Sequence, residues 1–269
     1  MKVLVPTDFS ENAFNAAKYA VAMSARFPKA DITLYHSYSV LHMSGIPMPV
    51  MPEDTPAFKE RVMEELKRIK EELADITPRT TTINCETDIL PLLEGMQQII
   101  DIRGINMVIM GITGRSGLQK AIVGSNTLSV TQHITIPVII IPHVATWKPQ
   151  NKILFAYNKK QPLLSRQSNA IEQLVTKLGA HLDVLYVGED VDSPAVKQEI
   201  EKLLHLHDIS YHTARHHKTA SDILHFAEKE STDMLLALPG KYSFLEDIFH
   251  KSVTKELAYK TNVPLIVIG

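Results

Sequence analysis

The chain predicts an α/β fold: two tandem doubly wound domains, each a mostly parallel five-stranded sheet flanked by helices. Three observations carry this expectation. Strand-like and helix-like segments alternate along the chain. The strand-like segments are near-continuous apolar runs, such as Val138-Ile139-Ile140-Ile141, which is how strands read when helices cover both faces. The whole pattern also occurs twice. Lys2-Val3-Leu4-Val5-Pro6-Thr7-Asp8 aligns with Lys152-Ile153-Leu154-Phe155-Ala156-Tyr157-Asn158, and Ile136-Pro137-Val138-Ile139-Ile140 aligns with Val263-Pro264-Leu265-Ile266-Val267.

The elements of the first copy follow in order. Residues 2–6 form a strand, and Ser10 is placed to cap a helix whose Ala13, Ala17, Ala20, Val21 and Ser24 share one stripe. Residues 31–36 are strand-like. Residues 57–75 are helical, because Phe58, Val62, Leu66, Ile69 and Leu73 recur at spacings of three or four. The β-branched run 80–85 is a strand. Ile89, Leu92, Leu93, Met96, Ile99 and Ile100 make the next helical face, and 106–110 is a buried strand. The segment 118–133 is mainly helical, and Pro137–Ile141 is the last strand. Residues 143–149, with a proline and polar residues, join the copies, dividing the chain into domains at 1–145 and 146–269. The second copy repeats the order, with strands near 152–156, 182–187, 209–214, 233–238 and 264–268.

Composition narrows the functional classes. The 269 residues carry 28 Lys and Arg against 30 Asp and Glu, a net charge of -2, which argues against a dedicated nucleic-acid or anionic-membrane binder. One cysteine, Cys85, excludes an intrachain disulfide framework and a multi-cysteine zinc site. Apolar runs fall far short of the roughly 20 residues of a membrane span, and the opening segment lacks a secretory apolar region. A cytoplasmic location is the simplest expectation.

Ligands of open α/β sheets sit beyond the carboxyl ends of the strands. After the first strand come Pro6, Thr7 and Asp8. After the fourth come Gly111-Ile112-Thr113-Gly114-Arg115, and further on Gly124-Ser125-Asn126-Thr127, the pattern G-x2-G-x9-G-S. Glycines allow main-chain N–H groups to approach an anion closely, and a helix opening at Ser125 would present its free N–H groups to phosphate. The Ser125 and Thr127 hydroxyls add donors. The alternative is two loops whose glycines serve only as turns and caps. Arg115 would pair with a phosphate or stand as a solvated loop charge.

Val5-Pro6-Thr7-Asp8-Phe9-Ser10, the strand ending Tyr35-His36, the Met110-Gly111-(x2)-Gly114-(x9)-Gly124-Ser125 run and Ile136-Pro137-Val138 together resemble the universal stress protein family, in its ATP-binding subclass and tandem form. The resemblance implies a Rossmann-like fold of the adenine-nucleotide alpha hydrolase type, ATP across the strand ends with Mg²⁺ as an optional companion, and domain pairing through the last strand, here 137–141 with 264–268 in an internal pseudo-dimer that would bury two open sheet edges. It implies that Pro6, Thr7 and Asp8 meet adenine and ribose. It also implies that Ser37 lines the adenine pocket, and that Gly111, Gly114, Gly124, Ser125, Asn126 and Thr127 cradle ribose and phosphates. Ser37 stands where an aliphatic residue is usual, and Asn126 where valine is usual. In the second copy Thr7 aligns with Tyr157, Gly111 with Ala237 and Gly124 with Lys251, so that copy is expected to act as a structural partner rather than a second ATP site.

Other features stay outside this scheme. Residues 38–56, with four prolines and three methionines, form a long loop read either as a flap or as an idle insertion. His205, His207, His212, His216 and His217 cluster in sequence, but a helix end and an edge strand are expected to separate them, so no metal site is assigned. Catalytic motifs of the G-x-S-x-G or H-E-x-x-H kind are absent from the sequence. The expected function is ATP binding by a nucleotide-responsive stress module without fast catalysis, with an unidentified protein partner and a possible homodimer. A slow ATPase or nucleotidyl transferase using Asp8, and a scaffold or carrier that binds no nucleotide, are the alternatives.

Overall fold

The computed structural model describes residues 1–38, 56–112, 124–149, 152–157, 163–187, 194–214, 219–238 and 263–269. The N-terminal half contains β1 (Lys2–Pro6), α1 (Glu11–Ser24), β2 (Ala30–Ser37), α2 (Pro56–Glu72), β3 (Thr81–Asp88), α3 (Leu92–Arg103), β4 (Met107–Gly111), α4 (Ser125–His133) and β5 (Val138–Ile141). The C-terminal half contains β6 (Lys152–Tyr157), α5 (Ser165–Leu178), β7 (His181–Val187), α6 (Pro194–Leu203), β8 (Ile209–Ala214), α7 (Thr219–Lys229), β9 (Met234–Ala237) and β10 (Leu265–Val267). The long loop over 38–56 and the counterpart of α4 fall almost wholly outside the described residues.

The ten strands among the described residues join one sheet in the order β3-β2-β1-β4-β5-β10-β9-β6-β7-β8. Every pairing is parallel except β5 with β10, which run antiparallel with Ile139 opposite Ile266. The order reads the same from either end, so the two halves are related by an internal two-fold at that junction. The expected edge pairing of the two copies is therefore present, and it removes two exposed strand edges.

Local contacts repeat along with the topology. The Lys2 ammonium donates to the carbonyl of Arg103 at the end of α3 (2.6 Å), and the Lys152 ammonium donates to the carbonyl of Glu230 just past α7 (3.1 Å). The Lys2 N–H donates to Asn106 Oδ1 and the Lys152 N–H to Asp233 Oδ2. In both halves a lysine at the start of the central strand satisfies carbonyls that a helix leaves without partners, where a cation also suits the helix dipole.

Alternate strand residues face opposite ways, and both faces are covered. One face carries a core continuous through both halves, with Val3, Val5, Ile32, Leu34 and Ile109 joined to Ile139, Ile153, Phe155, Val184, Leu236 and Ile266. On the other face Leu4, Tyr35, Met96, Val108 and Met110 pack in the N-terminal half, and Leu154, Leu185, Leu224, Ala227 and Leu235 in the C-terminal half. Helix α1 links the halves. The Asn15 amide donates to the carbonyls of Pro142 and Ala145, the Tyr19 ring meets Trp147 edge-on at 5.4 Å, and the Arg26 guanidinium donates to the Leu178 carbonyl at 2.7 Å.

Some boundaries differ from expectation. Helix α2 ends at Glu72, and a 3-10 turn over Ala74–Ile76 follows, so the apolar spacing outlasts the α-helix. Strand β3 runs on to Asp88 rather than stopping at Cys85, because it pairs with the full length of β2. Ile89 lies before α3 and is exposed; Pro91, without an N–H to donate, occupies the cap position and α3 starts at Leu92. Helix α4 starts at Ser125, directly after Gly124, and residues 118–123 of the expected helix lie outside the described residues. No helix among the described residues is long and apolar enough to cross a membrane.

Candidate functional site

A cavity of about 270 Å³ opens where β1, β2 and β4 end and α1, α3 and α4 begin. Seven of the residues singled out in the sequence line it: Pro6, Thr7, Asp8, Ser37, Gly111, Asn126 and Thr127. Gly124 and Ser125 adjoin it in sequence without lining it. Gly114 and Arg115 lie outside the described residues. The strands deliver these residues because parallel pairing aligns their carboxyl ends at one edge of the sheet.

The β1–α1 turn is held by its own polar groups. Thr7 Oγ1 accepts from the Phe9 N–H (3.1 Å), Asp8 Oδ1 accepts from the Ser10 N–H (3.1 Å), and Ser10 Oγ accepts from the Ala13 N–H (3.3 Å) as the cap of α1. Phe9 between them has φ +63°, the left-handed region, which a bulky residue occupies at a cost of about 1–2 kcal/mol. Such outliers persist where surrounding contacts over-determine them. Here the Phe9 ring lies 4.5 Å from the His36 ring, and His36 donates through Nδ1 to the Thr7 carbonyl at 2.7 Å. Nothing in the residue type at position 9 announces this conformation.

The glycines and hydroxyls also make contacts within the protein. The Gly124 N–H donates to the Ile112 carbonyl (3.0 Å), closing the neck of the 113–123 segment. It is therefore spent within the protein. A Cβ at Gly111 would stand 2.8 Å from the carbonyl oxygen of Asn12 and 2.9 Å from its carbon, so glycine is needed there to let α1 approach the end of β4. The Thr127 hydroxyl, read from sequence as a phosphate donor, donates instead to the Gly111 carbonyl (3.2 Å) and ties α4 to β4. The amides left to meet an anion are those of Ser125, Asn126 and Thr127 in the first turn of α4. None finds an acceptor among the described residues, and the first intrahelical donor is Leu128, to Gly124.

Ser37 lines the cavity, but its hydroxyl donates to the carbonyl of Leu90. Ala13, His36, Pro91, Leu92 and Met110 complete the lining and were not singled out from sequence as site residues. The signal for Pro91 and Leu92 was available: the strand-end rule applies to β3 as much as to β1 and β4.

The C-terminal half is built differently at the related place. The register sets Ile109 against Ile139 and Leu236 against Ile266, so the internal two-fold relates Gly111 to Leu238 and not to Ala237. By the same register Thr7 corresponds to Tyr157 and His36 to Tyr186. Tyr157, Tyr186 and Leu238 are all buried. Lys251 lies outside the described residues.

The described histidines of the histidine-rich segment do not converge. His205 bonds to Glu172, while His212 on β8 bonds to Asp183 at 2.7 Å; His216 and His217 lie outside the described residues. No group of three or more His, Cys, Asp or Glu among the described residues is placed to hold a metal ion. Cys85 is half-buried on β3, and that burial raises its thiol pKa.

Comparison with known proteins agrees with the geometry. The profile of the universal stress protein family matches residues 1–142. Two universal stress proteins of Methanocaldococcus jannaschii align with half of the chain. One is 25% identical over 146 residues, covering 52% of this chain and 81% of that protein; the other is 27% identical over 159 residues, covering 52% and 93%. The crystal structure of a universal stress protein from Archaeoglobus fulgidus superposes with a TM-score of 0.67 at 17% identity, covering 99% of this chain and 97% of the other, which extends the likeness of fold to both halves. By the motifs that line its cavity, its strand order and the match to its N-terminal half, the chain belongs to the universal stress protein family.

Proposed function

We propose that the cavity binds ATP, with Mg²⁺ as an optional companion, and that the protein is a nucleotide-responsive module rather than a fast catalyst. Residues 1–145 would form the binding domain and 146–269 its structural partner. The observation that carries this reading is one cavity bounded by both kinds of surface a nucleotide needs. At one side stand the N–H groups of Asn126 and Thr127 at the positive end of α4, which find no acceptor among the described residues and suit a polyphosphate. At the other stand Pro6, Pro91, Leu92 and Met110, which suit a base. Asp8, at the end of β1, is positioned to meet ribose or a metal ion carried with the phosphates.

The same residues favour binding over turnover. Phosphoryl transfer requires charge neutralisation and a positioned nucleophile or water. Among the described lining residues there is no lysine or arginine, and Asp8 Oδ1 is engaged in shaping the turn through the Ser10 N–H. The buried Tyr157, Tyr186 and Leu238 argue for one nucleotide per chain.

Isothermal titration of the full chain with ATP tests this directly. One ATP per chain is expected, accompanied by a rise in melting temperature, since a ligand of the native state stabilises it by mass action. Absence of heat and of any thermal shift at millimolar ATP would remove the nucleotide from the site. Two ATP per chain would overturn the assignment of the C-terminal half as a partner. Phosphate release abolished by Asp8→Ala, with ATP binding retained, would establish the enzymatic alternative.

A further inference from the structure

We infer that the C-terminal half regulates the cavity through α1: by gripping the far end of that helix it holds the β1–α1 turn in the strained form that shapes the cavity wall. In naming what regulates the site, this rests on the nucleotide reading above. The turn is where such control can enter. Phe9 sits at φ +63°, Pro6, Thr7 and Asp8 before it line the cavity, and Ala13 in the first turn of α1 lines it too. A phenylalanine leaves the left-handed region unless its surroundings prevent it. The bonds inside the turn run from the Phe9 N–H to Thr7 Oγ1 and from the Ser10 N–H to Asp8 Oδ1. Each spans two residues, so these bonds move with the turn and do not fix its direction. His36 holds the start of the turn, and the direction of α1 holds its end.

That direction is set by contacts outside the N-terminal sheet. Asn15, Tyr19 and Arg26 fall on one stripe at the helical period. The Asn15 amide donates to the Pro142 and Ala145 carbonyls, in the segment leading to the C-terminal half, at 3.1 and 3.0 Å. Tyr19 is buried edge-on against Trp147, and burial together with the Asp233 carboxylate of the C-terminal half pushes its phenol pKa up. The Arg26 guanidinium, just past the end of α1, donates to the carbonyl of Leu178, the last residue of α5, where a cation suits both the unpaired carbonyl and the dipole. A helix is stiff, so a shift at Arg26 reaches Ala13, about 20 Å away along the axis. The related helix has neither feature. Helices α1 and α5 both have 14 residues and follow caps at Ser10 and Leu164, so Phe9 corresponds to Leu163, Tyr19 to Gln173 and Arg26 to Ala180. Leu163 has no positive φ, Gln173 is exposed, and Ala180 has no side-chain donor. Among the described residues, strain before the helix and anchors along it occur together in one half and are missing together from the other.

Arg26→Met combined with Trp147→Leu releases the grip, and neither residue lines the cavity. Two measurements on the full chain test the inference. Hydrogen exchange without ligand compares the amides of Phe9 and Ser10 with those of Val3 and Val5 in β1. The double variant is expected to speed the turn amides at least about threefold more than the β1 amides, because a local opening is freed while the core stays closed. In isothermal titration it is expected to weaken ATP by about two- to tenfold. Phe9→Gly supplies the control, since glycine enters the left-handed region without strain. In that background the same two substitutions should leave ATP affinity within about 1.5-fold, as for sites that no longer couple. Should the double variant fail to fold, Arg26→Met alone, at an exposed position, is the second variant, with the same directions expected. An exchange ratio unchanged from wild type, or an equal loss of ATP affinity with and without Phe9→Gly, would overturn the inference, the packing of α1 on its own sheet then being sufficient. Wild-type protein that binds no ATP would overturn the nucleotide reading, and the exchange ratio would then support or overturn the grip by itself.

Discussion

Gly111→Ala separates two accounts of one glycine. If position 111 is bare so that its main chain can approach a phosphate, a methyl group harms binding and leaves the fold alone. The structure points to packing instead: the added Cβ would meet the Asn12 carbonyl oxygen at 2.8 Å, its carbon at 2.9 Å and the Asn12 Cβ at 3.2 Å. Two of those atoms are backbone of the first turn of α1, which has its own cap and cannot swing aside as a side-chain tip can. Overpacking of this kind costs about 1–3 kcal/mol. Against it stands the reduced freedom of the unfolded chain, worth about 0.4–1 kcal/mol in favour of alanine. The expected result is a net loss of about 1–2 kcal/mol, read as a lower urea midpoint at unchanged slope. ATP affinity should fall as well, because α1 begins at the β1–α1 turn that lines the cavity. An unchanged or higher urea midpoint together with lost ATP affinity would refute the packing account and return Gly111 to the phosphate.

In Gly95→Ala the new Cβ would fall 1.9 Å from the Tyr35 hydroxyl and within 2.9 Å of both Asp88 oxygens, so the loss of a carboxylate hydrogen bond, about 1.5–3 kcal/mol, outweighs the helix-propensity gain of about 1 kcal/mol; a raised denaturation midpoint would contradict this. Thr127→Val strips the Gly111 carbonyl of its donor in a buried place and should cost about 1–3 kcal/mol by urea denaturation, whereas Thr127→Ser should recover most of it; equal destabilisation in both variants would mean the methyl and not the hydroxyl matters. Lys2→Met and Lys152→Met are an internal pair related by the two-fold. Lys152 also stands 3.7 Å from the Asp183 carboxylate, which is 2% exposed and whose Oδ2 has no hydrogen bond among the described residues, so Lys152→Met should be the more destabilising of the two in thermal melts; equal effects would show that the ion pair contributes nothing.

Much of the fold was legible because it rests on periodic burial. Strands covered on both faces must be apolar throughout, and that requirement wrote the runs at 2–6, 106–110 and 137–141 into the chain along with their second copies. Pairing of the last strands came from the family resemblance that the motifs carry, and its physical reason is the burial of two open apolar edges. The ends of elements were harder to read. Whether β3 stops at Cys85 or runs to Asp88 depends on the length of β2 beside it, and residues 86–88 have no β-branched signal apart from Thr87.

The site divides in the same way. That a ligand cavity would lie after β1 and β4 followed from residue types and strand order, which is why Pro6, Thr7, Asp8, Gly111, Asn126 and Thr127 come together in its lining. How each residue is used did not follow. Glycine at 111 reads alike whether a ligand or a helix occupies the space beside it, and a threonine hydroxyl reads alike whether it faces a phosphate or a carbonyl. Phe9 in the left-handed region, Ser37 holding Leu90, and the buried Asp183 of the C-terminal half arise from neighbours distant in sequence. By itself the amino-acid sequence determined the repeated α/β architecture and the edge of the sheet at which a ligand would sit, because hydrophobic periodicity and strand order are local properties of the chain. The tertiary structure alone decided which polar groups the protein bonds to itself and which side chains line the cavity, because a hydrogen bond or a close approach is assigned only when two remote segments meet.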